Sequence, residues 1–301
     1  MSEELQVQTK QRTRTQITIK QLRKNKTAMV GLGMLIVIFV LCFGAPIFAP
    51  QDPGDVDLDR GLKPGFWSED GVEGYYLGTD NLGRDILSRI LYGGRITLSV
   101  GFVALGFALV VGTGLGLAAG YLGGKIDSIL MRIADILFAY PAILLALVVA
   151  GTLGRGIDKA MLAIGIVYTP QMARIIRSAV LSIKEMEYIE AEHSLGASSL
   201  RIVFKHVLPN SLAPLIVYST LMLATAILDA AALGFLGVGA QPPSPEWGLS
   251  LSIARKYLVT GAWWAATFPG IAILISVISL NMLGDGLRDA LDPRLKGGSK
   301  I

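Results

Sequence analysis

The chain has 301 residues, of which 52% are hydrophobic and 17% charged, and its formal net charge is +4. Soluble domains carry about 25% charged residues, and here the charges lie between long uncharged runs. The composition excludes an ordinary soluble domain, and membrane orientation explains the basic residues better than nucleic-acid binding does.

Six apolar runs predict six membrane-spanning helices, because a helix needs about 20 apolar residues to cross a hydrocarbon core about 30 Å thick. The runs are continuous and not alternating, which favours helices over a barrel. The fourth run is short enough to be a buried segment of a soluble fold, and it becomes a span if Arg174 and Arg177 snorkel to the interface at one end. The predicted spans are 28–49, 95–125, 129–153, 160–173, 212–236 and 264–283.

Lys and Arg predict the orientation of these spans. With the N-terminus in the cytoplasm, six spans return the C-terminus there, and most basic residues fall on the cytoplasmic side. The outer loop 50–95 is rich in Pro, Gly and Asp and is expected to be irregular. The chain then divides into a cytoplasmic tail (1–26), a first span with an extracytoplasmic loop (27–95), a core of five spans (96–291) with a cytoplasmic loop (183–211), and a cytoplasmic tail (292–301).

Small residues recur at every fourth position of the second span. A spacing of four places them on one helix face, where close backbone approach drives helix association in lipid. Packing within the bundle is the simpler interpretation, and a tight contact near a pore or a subunit interface is the alternative. The residues are Ala104, Ala108, Gly112, Gly116, Gly120 and Gly124.

Three prolines and one carboxylate interrupt the spans. Pro141, Pro170 and Pro269 each remove a backbone hydrogen bond and favour a kink, either as a static bend or beside a transport cavity. Asp229 lies inside the fifth span, where a charge is costly unless it faces protein or water. It is expected either to contact a neighbouring helix or to belong to a pore or gate.

The cytoplasmic loop 183–211 carries the most specific pattern. It predicts two short amphipathic helices, the first ended by Gly196 in a left-handed conformation and the second capped by Ser198 and stopped by Pro209. Such helices lie on a membrane or dock into another protein. The second helix has its apolar residues at helical spacing, at Leu200, Val203, Phe204 and Val207.

This loop resembles the EAA loop of importer permeases in the ATP-binding-cassette (ABC) superfamily. Five of its residues stand in the register of that motif: Glu190, Ala191, Gly196, Leu208 and Pro209. The loop departs from the motif at Glu192, where Ala is usual, and at His206, where Ile is usual. The ending from His206 to Asn210 is typical of the dipeptide/oligopeptide/nickel branch, and segments 77–85, 235–243 and 281–294 are similar to the same branch.

The resemblance implies an all-α polytopic membrane protein with six spans, of the type I ABC importer permease kind, in the plasma membrane of a prokaryote. It implies half of a translocation pathway for di- or oligopeptides, with nickel complexes or oligosaccharides as alternatives. The implied partners are a second homologous permease, expected to form a heterodimer, two cytosolic ATPases and an extracytoplasmic binding protein. The loop, including Ala197, would couple to ATPases that bind ATP and Mg, while this chain would bind no cofactor or metal of its own.

Two other function classes are weaker. A stand-alone secondary transporter or channel favours ionisable residues along its spans, where only Asp229 qualifies well. An intramembrane enzyme needs a catalytic pair that the spans lack, and no phosphate-binding loop is present, so the chain is not expected to be an enzyme. His193 and His206 are the only histidines, and a docking or helix-surface role suits them better than a metal site.

Overall fold

The computed structural model of the chain describes residues 14–291, and helices make up most of that part. The predicted tail 292–301 and the first part of the tail 1–26 lie outside the described residues. The α-helices are α1 (Arg14–Lys24), α2 (Lys26–Phe43), α3 (Ala45–Phe48), α4 (Ile86–Leu122), α5 (Gly124–Phe138), α6 (Ala142–Leu153), α7 (Ile157–Lys184), α8 (Glu187–Ser194), α9 (Ser199–Ile202), α10 (Leu208–Phe235), α11 (Trp247–Ala254) and α12 (Trp264–Leu291). A π turn (Val203–Val207) joins α9 to α10, and short 3₁₀ helices cover Leu58–Arg60 and Arg255–Thr260.

Within the described residues, four helices are long and apolar enough to cross a membrane by themselves: α2, α4, α10 from Pro214, and α12. The pair α5 and α6 makes a fifth crossing if it is one span, although its two halves meet at an angle of 95°. The remaining predicted span corresponds to α7, whose 28 residues reach about 42 Å at 1.5 Å per residue. It is long enough but carries charges at both ends, so the sixth crossing stays a prediction.

The second span begins earlier than predicted. Its helix starts at Ile86, inside the segment expected to be an irregular loop, because Asp85 caps it by accepting a hydrogen bond from the Ser88 amide at 2.7 Å. Arg89 and Arg95 lie within the helix, where distant carbonyl oxygens accept hydrogen bonds from their guanidinium groups. Arg89 donates to the Ser244 carbonyl at 2.9 Å, and Arg95 donates to the Cys42 carbonyl at 2.7 Å.

The other spans also differ at their ends. The helix of the fifth span begins at Leu208, four residues before the predicted Leu212, and the helix of the sixth continues from the predicted Leu283 to Leu291. The extension of α12 is held against the start of α2, since Gly286 lies close to Ala28 and the side-chain amide of Asn25 donates to Asp289 Oδ2 at 3.2 Å.

The core lies where α4 packs along α7, with α10 against both. Gly112, Gly116 and Gly120 all face α7, and a Cβ added at Gly116 would lie 2.5 Å from the Ala173 carbonyl oxygen. The small residues therefore serve a contact within this chain. Gly124 is not part of this face, because α4 ends at Leu122 and the chain turns at Gly123 and Gly124, both with positive φ.

The loops form two groups at opposite ends of the bundle. At one end the loop after α3 contacts the start of α12, since the rings of Trp67 and Trp263 lie 5.3 Å apart. At the other end Tyr121, which closes α4, lies 3.4 Å from His193 of α8. This grouping is the one that the predicted topology requires, and the assignment of the second end to the cytoplasm stays a prediction.

Candidate functional site

The loop between α7 and α10 is a folded unit anchored by three buried side chains. Ile189, Ile202 and Val207 are each at most 1% exposed and belong to the same core as α4, α7 and α10. They fix the loop to the membrane bundle, because each is fully removed from water. A force applied to the loop therefore acts directly on the core of the bundle.

The first loop helix, α8, ends as the sequence predicts. Gly196 has φ of +79°, its amide donates to the His193 carbonyl at 2.9 Å, and the Ala197 amide donates to the Glu192 carbonyl at 3.0 Å. These two bonds form a Schellman motif, in which glycine is preferred because the left-handed conformation disfavours a Cβ. Glu190 and Ala191 lie on the exposed side of α8.

The second loop helix begins as predicted and ends differently. Ser198 caps it by accepting from the Arg201 amide at 3.4 Å. Pro209 does not stop the helix. The chain passes through the π turn, where the Leu208 amide donates to the Val203 carbonyl, and continues into α10. Pro209 is accommodated because it stands in the first turn of α10, where its missing N–H costs little.

The apolar residues of this second segment face two ways. Val207 points into the core, whereas Leu200 and Phe204 are 72% and 62% exposed. The single apolar face predicted from their spacing is therefore wrong, because the π turn changes the angular register. Leu195, at the end of α8, is 84% exposed as well, so both helical parts of the loop carry exposed apolar side chains.

The two residues at which the loop departs from the EAA motif, Glu192 and His206, contact each other. His206 Nε2 lies 3.2 Å from Glu192 Oε1, which joins α8 to the π turn. The ring of Tyr188 lies beside His206, with centroids 6.2 Å apart. No group of His, Cys, Asp and Glu suited to a metal ion occurs among residues 14–291. His193 is exposed, whereas His206 is partly buried.

The predicted path residues lie apart from this loop. Pro141 stands at the bend between α5 and α6, and Pro170 and Pro269 are buried inside α7 and α12. Pro170 borders an apolar groove of about 290 Å³ between α4, α5 and α7. The structure does not bring these prolines together.

Asp229 contacts a residue that the sequence analysis did not single out. The Tyr168 hydroxyl of α7 donates to Asp229 Oδ2 at 2.6 Å. A charge at mid-bilayer costs about 2.5–3.5 kcal/mol on insertion scales, so a hydrogen bond from a neighbouring helix reduces this cost. The contact links α7 to α10, the two helices that flank the loop 183–211, and only a three-dimensional fold reveals it.

Ion pairs also fasten α5 to α7. Arg177 Nη2 lies 2.6 Å from Asp127 Oδ2, and Arg174 Nη2 lies 2.6 Å from Asp135 Oδ1. These arginines are the pair expected to snorkel at the end of the fourth span, and both have carboxylate partners on α5.

The end of the bundle that carries the loop after α3 has two buried carboxyl groups. Glu246 caps α11 by accepting from the Gly248 and Leu249 amides at 2.9 and 2.8 Å, and burial raises its pKa. Burial also raises the pKa of Asp85, whose Oδ1 has no hydrogen-bond partner among the described residues. Both groups cap helix starts, Asp85 that of α4 and Glu246 that of α11.

Comparisons with known proteins agree with this architecture. Residues 112–297 match the family of binding-protein-dependent transport system inner membrane components, and residues 13–64 match the N-terminal TM domain of oligopeptide transport permease C. Curated relatives include the dipeptide transport system permease proteins of Alkalihalophilus pseudofirmus (47% identity, 92% of this chain and 89% of the relative) and Escherichia coli K12 (47%, 91% of each). The di/tripeptide transport system permease protein of Pseudomonas aeruginosa is 46% identical over 91% of this chain and 90% of its own.

A solved structure shares the fold. The inward-facing MetNI methionine ABC transporter contains a chain that matches with a TM-score of 0.55 and 24% identity, over 67% of this chain and 96% of that one. At this identity the likeness concerns the fold alone.

Proposed function

The chain belongs to the family of binding-protein-dependent transport system inner membrane components, and from this premise we propose that it is the permease subunit of an ATP-driven importer of di- or oligopeptides. The observation that carries the substrate class is the identity of 44–47% to dipeptide permeases over most of both chains. A relative at 43% identity is a glutathione transport system permease protein, which is again peptide transport. These names favour peptides over the nickel complexes and oligosaccharides that the sequence motifs leave open.

The loop 183–211 is proposed as the contact with cytosolic ATPase subunits. It combines an anchored inner side, through Ile189, Ile202 and Val207, with an exposed apolar side that includes Leu195, Leu200 and Phe204. Glu190 and Ala191 lie on the exposed side of α8, where a partner can reach them. ATP and Mg would bind to those partners, since the chain has no phosphate-binding loop.

Movement of the loop would reach two spans at once. α8 follows α7 directly, and the π turn runs into α10 without a break. A push from closing ATPases would therefore act on α7 and α10 together, on either side of the Tyr168 to Asp229 hydrogen bond. Two such permeases, expected to be a heterodimer, would enclose the pathway, and an extracytoplasmic binding protein would deliver the peptide.

The test is reconstitution of the complex. The chain is co-expressed with its second permease and the ATPases, purified in mild detergent and placed in proteoliposomes with the binding protein. We expect ATP-dependent uptake of a labelled dipeptide. Uptake by the purified chain without ATPases would overturn the proposal, as would a complex that takes up nickel or oligosaccharides but no peptide.

The loop assignment has its own variants. Glu190→Ala is expected to reduce ATPase retention and uptake, whereas Glu185→Ala, an exposed carboxylate just before α8, leaves both unchanged. If Glu190→Ala and Gly196→Asp both assemble and transport normally, the coupling assignment is wrong.

A further inference from the structure

Asp229 is an acidic residue that no ion pair neutralises within the described part of the chain. It stands in α10, about 9 Å along the helix axis from the end at Phe235. Its contact is the neutral hydroxyl of Tyr168, which donates to Oδ2 at 2.6 Å. No Lys, Arg or His nitrogen of the described side chains lies within 4 Å of this carboxylate.

The side of α10 that carries Asp229 is open. Thr225 and Leu228 are exposed before it and Leu236 after it, at spacings that share one helix face. Ala226, Ile227, Ala230 and Leu233 on the other side are buried in the core. Asp229 itself is partly exposed and lies between this side and Tyr168 of α7.

Lipid is a poor environment for the Asp229 carboxylate. A carboxylate within a span faces protein or water because hydrocarbon does not solvate charge. Tyr168 fixes the side chain from behind, on the α7 side, and leaves Oδ1 without a bonded partner in the described residues. The arrangement is a positioned acceptor on a partly exposed part of α10.

We propose that Asp229 is a transient binding site for the ammonium group of the transported peptide, on the proposed function's translocation pathway. An ammonium group donates hydrogen bonds and offsets the negative charge of the Asp229 carboxylate, which the neutral hydroxyl of Tyr168 does not. One carboxylate, without a surrounding cage, suits passage, because a transport path needs binding that is strong enough for entry and weak enough for release.

The experiment uses the whole complex with its binding protein in proteoliposomes and a labelled dipeptide with a free amino terminus. Asp229→Asn keeps an acceptor for Tyr168 and removes the charge, and we expect uptake to fall about 10-fold. Asp229→Glu keeps the charge and is expected to stay within about 2-fold of wild type. Thr225→Val, on the same open side one turn earlier, is the matched control and leaves uptake unchanged.

The outcomes separate the two proposals. If the wild-type complex takes up no dipeptide, the proposed function fails. If the wild type transports and Asp229→Asn transports equally, the binding site is overturned while the function stands. Loss of uptake in both Asp229 variants, or loss of assembly and basal ATPase activity in Asp229→Asn, identifies a structural carboxylate and also overturns the site.

Discussion

His206 Nε2 lies 3.2 Å from Glu192 Oε1, so the two positions at which the loop departs from the EAA motif form one contact between α8 and the π turn. Each residue taken alone is an exception to the motif. Ala and Ile, the usual residues at these positions, are apolar, whereas this pair is polar. The pair brings α8 next to the π turn.

The first prediction concerns this pair. Glu192→Ala and His206→Ile are each expected to lower the stability of the assembled complex, and the double variant to recover most of the loss, because it restores an apolar contact. The coupling free energy should be about 0.5–1 kcal/mol, as for partly exposed charge pairs. Thermal unfolding of the purified complex measures it, and strictly additive single effects would contradict the prediction.

The second prediction concerns Gly196. An added Cβ would meet open space, so Gly196→Ala changes only the backbone preference at φ of +79°, with an expected cost of about 1–2 kcal/mol in loop stability. Hydrogen exchange of α8 amides should rise. Gly151→Ala is the control, since it also adds a Cβ in open space but lies inside α6. Equal protection in both variants would contradict the Schellman assignment.

The third prediction separates two glycines of α4. Gly116→Ala would place a Cβ 2.5 Å from the Ala173 carbonyl oxygen, whereas Gly114 has nothing within 4 Å. Overpacking typically costs about 1–3 kcal/mol, so Gly116→Ala should lower the unfolding temperature. Gly114→Ala should leave it unchanged or raise it slightly, since alanine favours helix. A stable Gly116→Ala variant would disprove the close α4–α7 contact.

The fourth prediction is a pH dependence. Burial raises the pKa of Asp85 above 3.8 in the folded protein, so the folded state holds this proton more tightly than the unfolded state does. Its contribution to stability is present below about pH 3.8 and is lost as the pH rises through the folded-state pKa. The Asp85→Asn variant keeps an acceptor for Ser88 and carries no titratable group there.

As the pH rises from 4 to about 7, the unfolding temperature of wild type should therefore fall relative to that of Asp85→Asn. Fluorescence-monitored unfolding of the complex across this range measures it. A constant difference would show that Asp85 does not titrate differently in the folded and unfolded states.

Local chemistry made much of the loop predictable. Gly196 and Ser198 act within one turn of their own positions, so their sequence context contains the whole cause. The prediction that Pro209 stops the second loop helix was wrong. A proline after an apolar run is typical of a helix end, but here the π turn places Pro209 in the first turn of the next helix. That turn depends on how Val207 and Ile202 pack into the core, which a local pattern does not contain.

Contacts between residues far apart in the chain could not be predicted from the sequence. The segment 50–95 was predicted to be a loop from its composition, but its last part is helical, and there Arg89 and Arg95 donate hydrogen bonds to the carbonyls of Ser244 and Cys42, far away in the chain. The sequence likewise gave no signal for Tyr168 as the partner of Asp229. It identified the unusual carboxylate and left the partner to the fold.

The π turn between Ile202 and Leu208 also constrains how this segment can change in length. One residue corresponds to about 100° of rotation in a helix, so deleting a single residue here would turn α8 and α9 about the axis of α10. Leu200 and Phe204 would then point in a new direction, and Ile189 would leave its place in the core. A change of one residue at this junction would therefore misalign the surface that the loop offers to a partner.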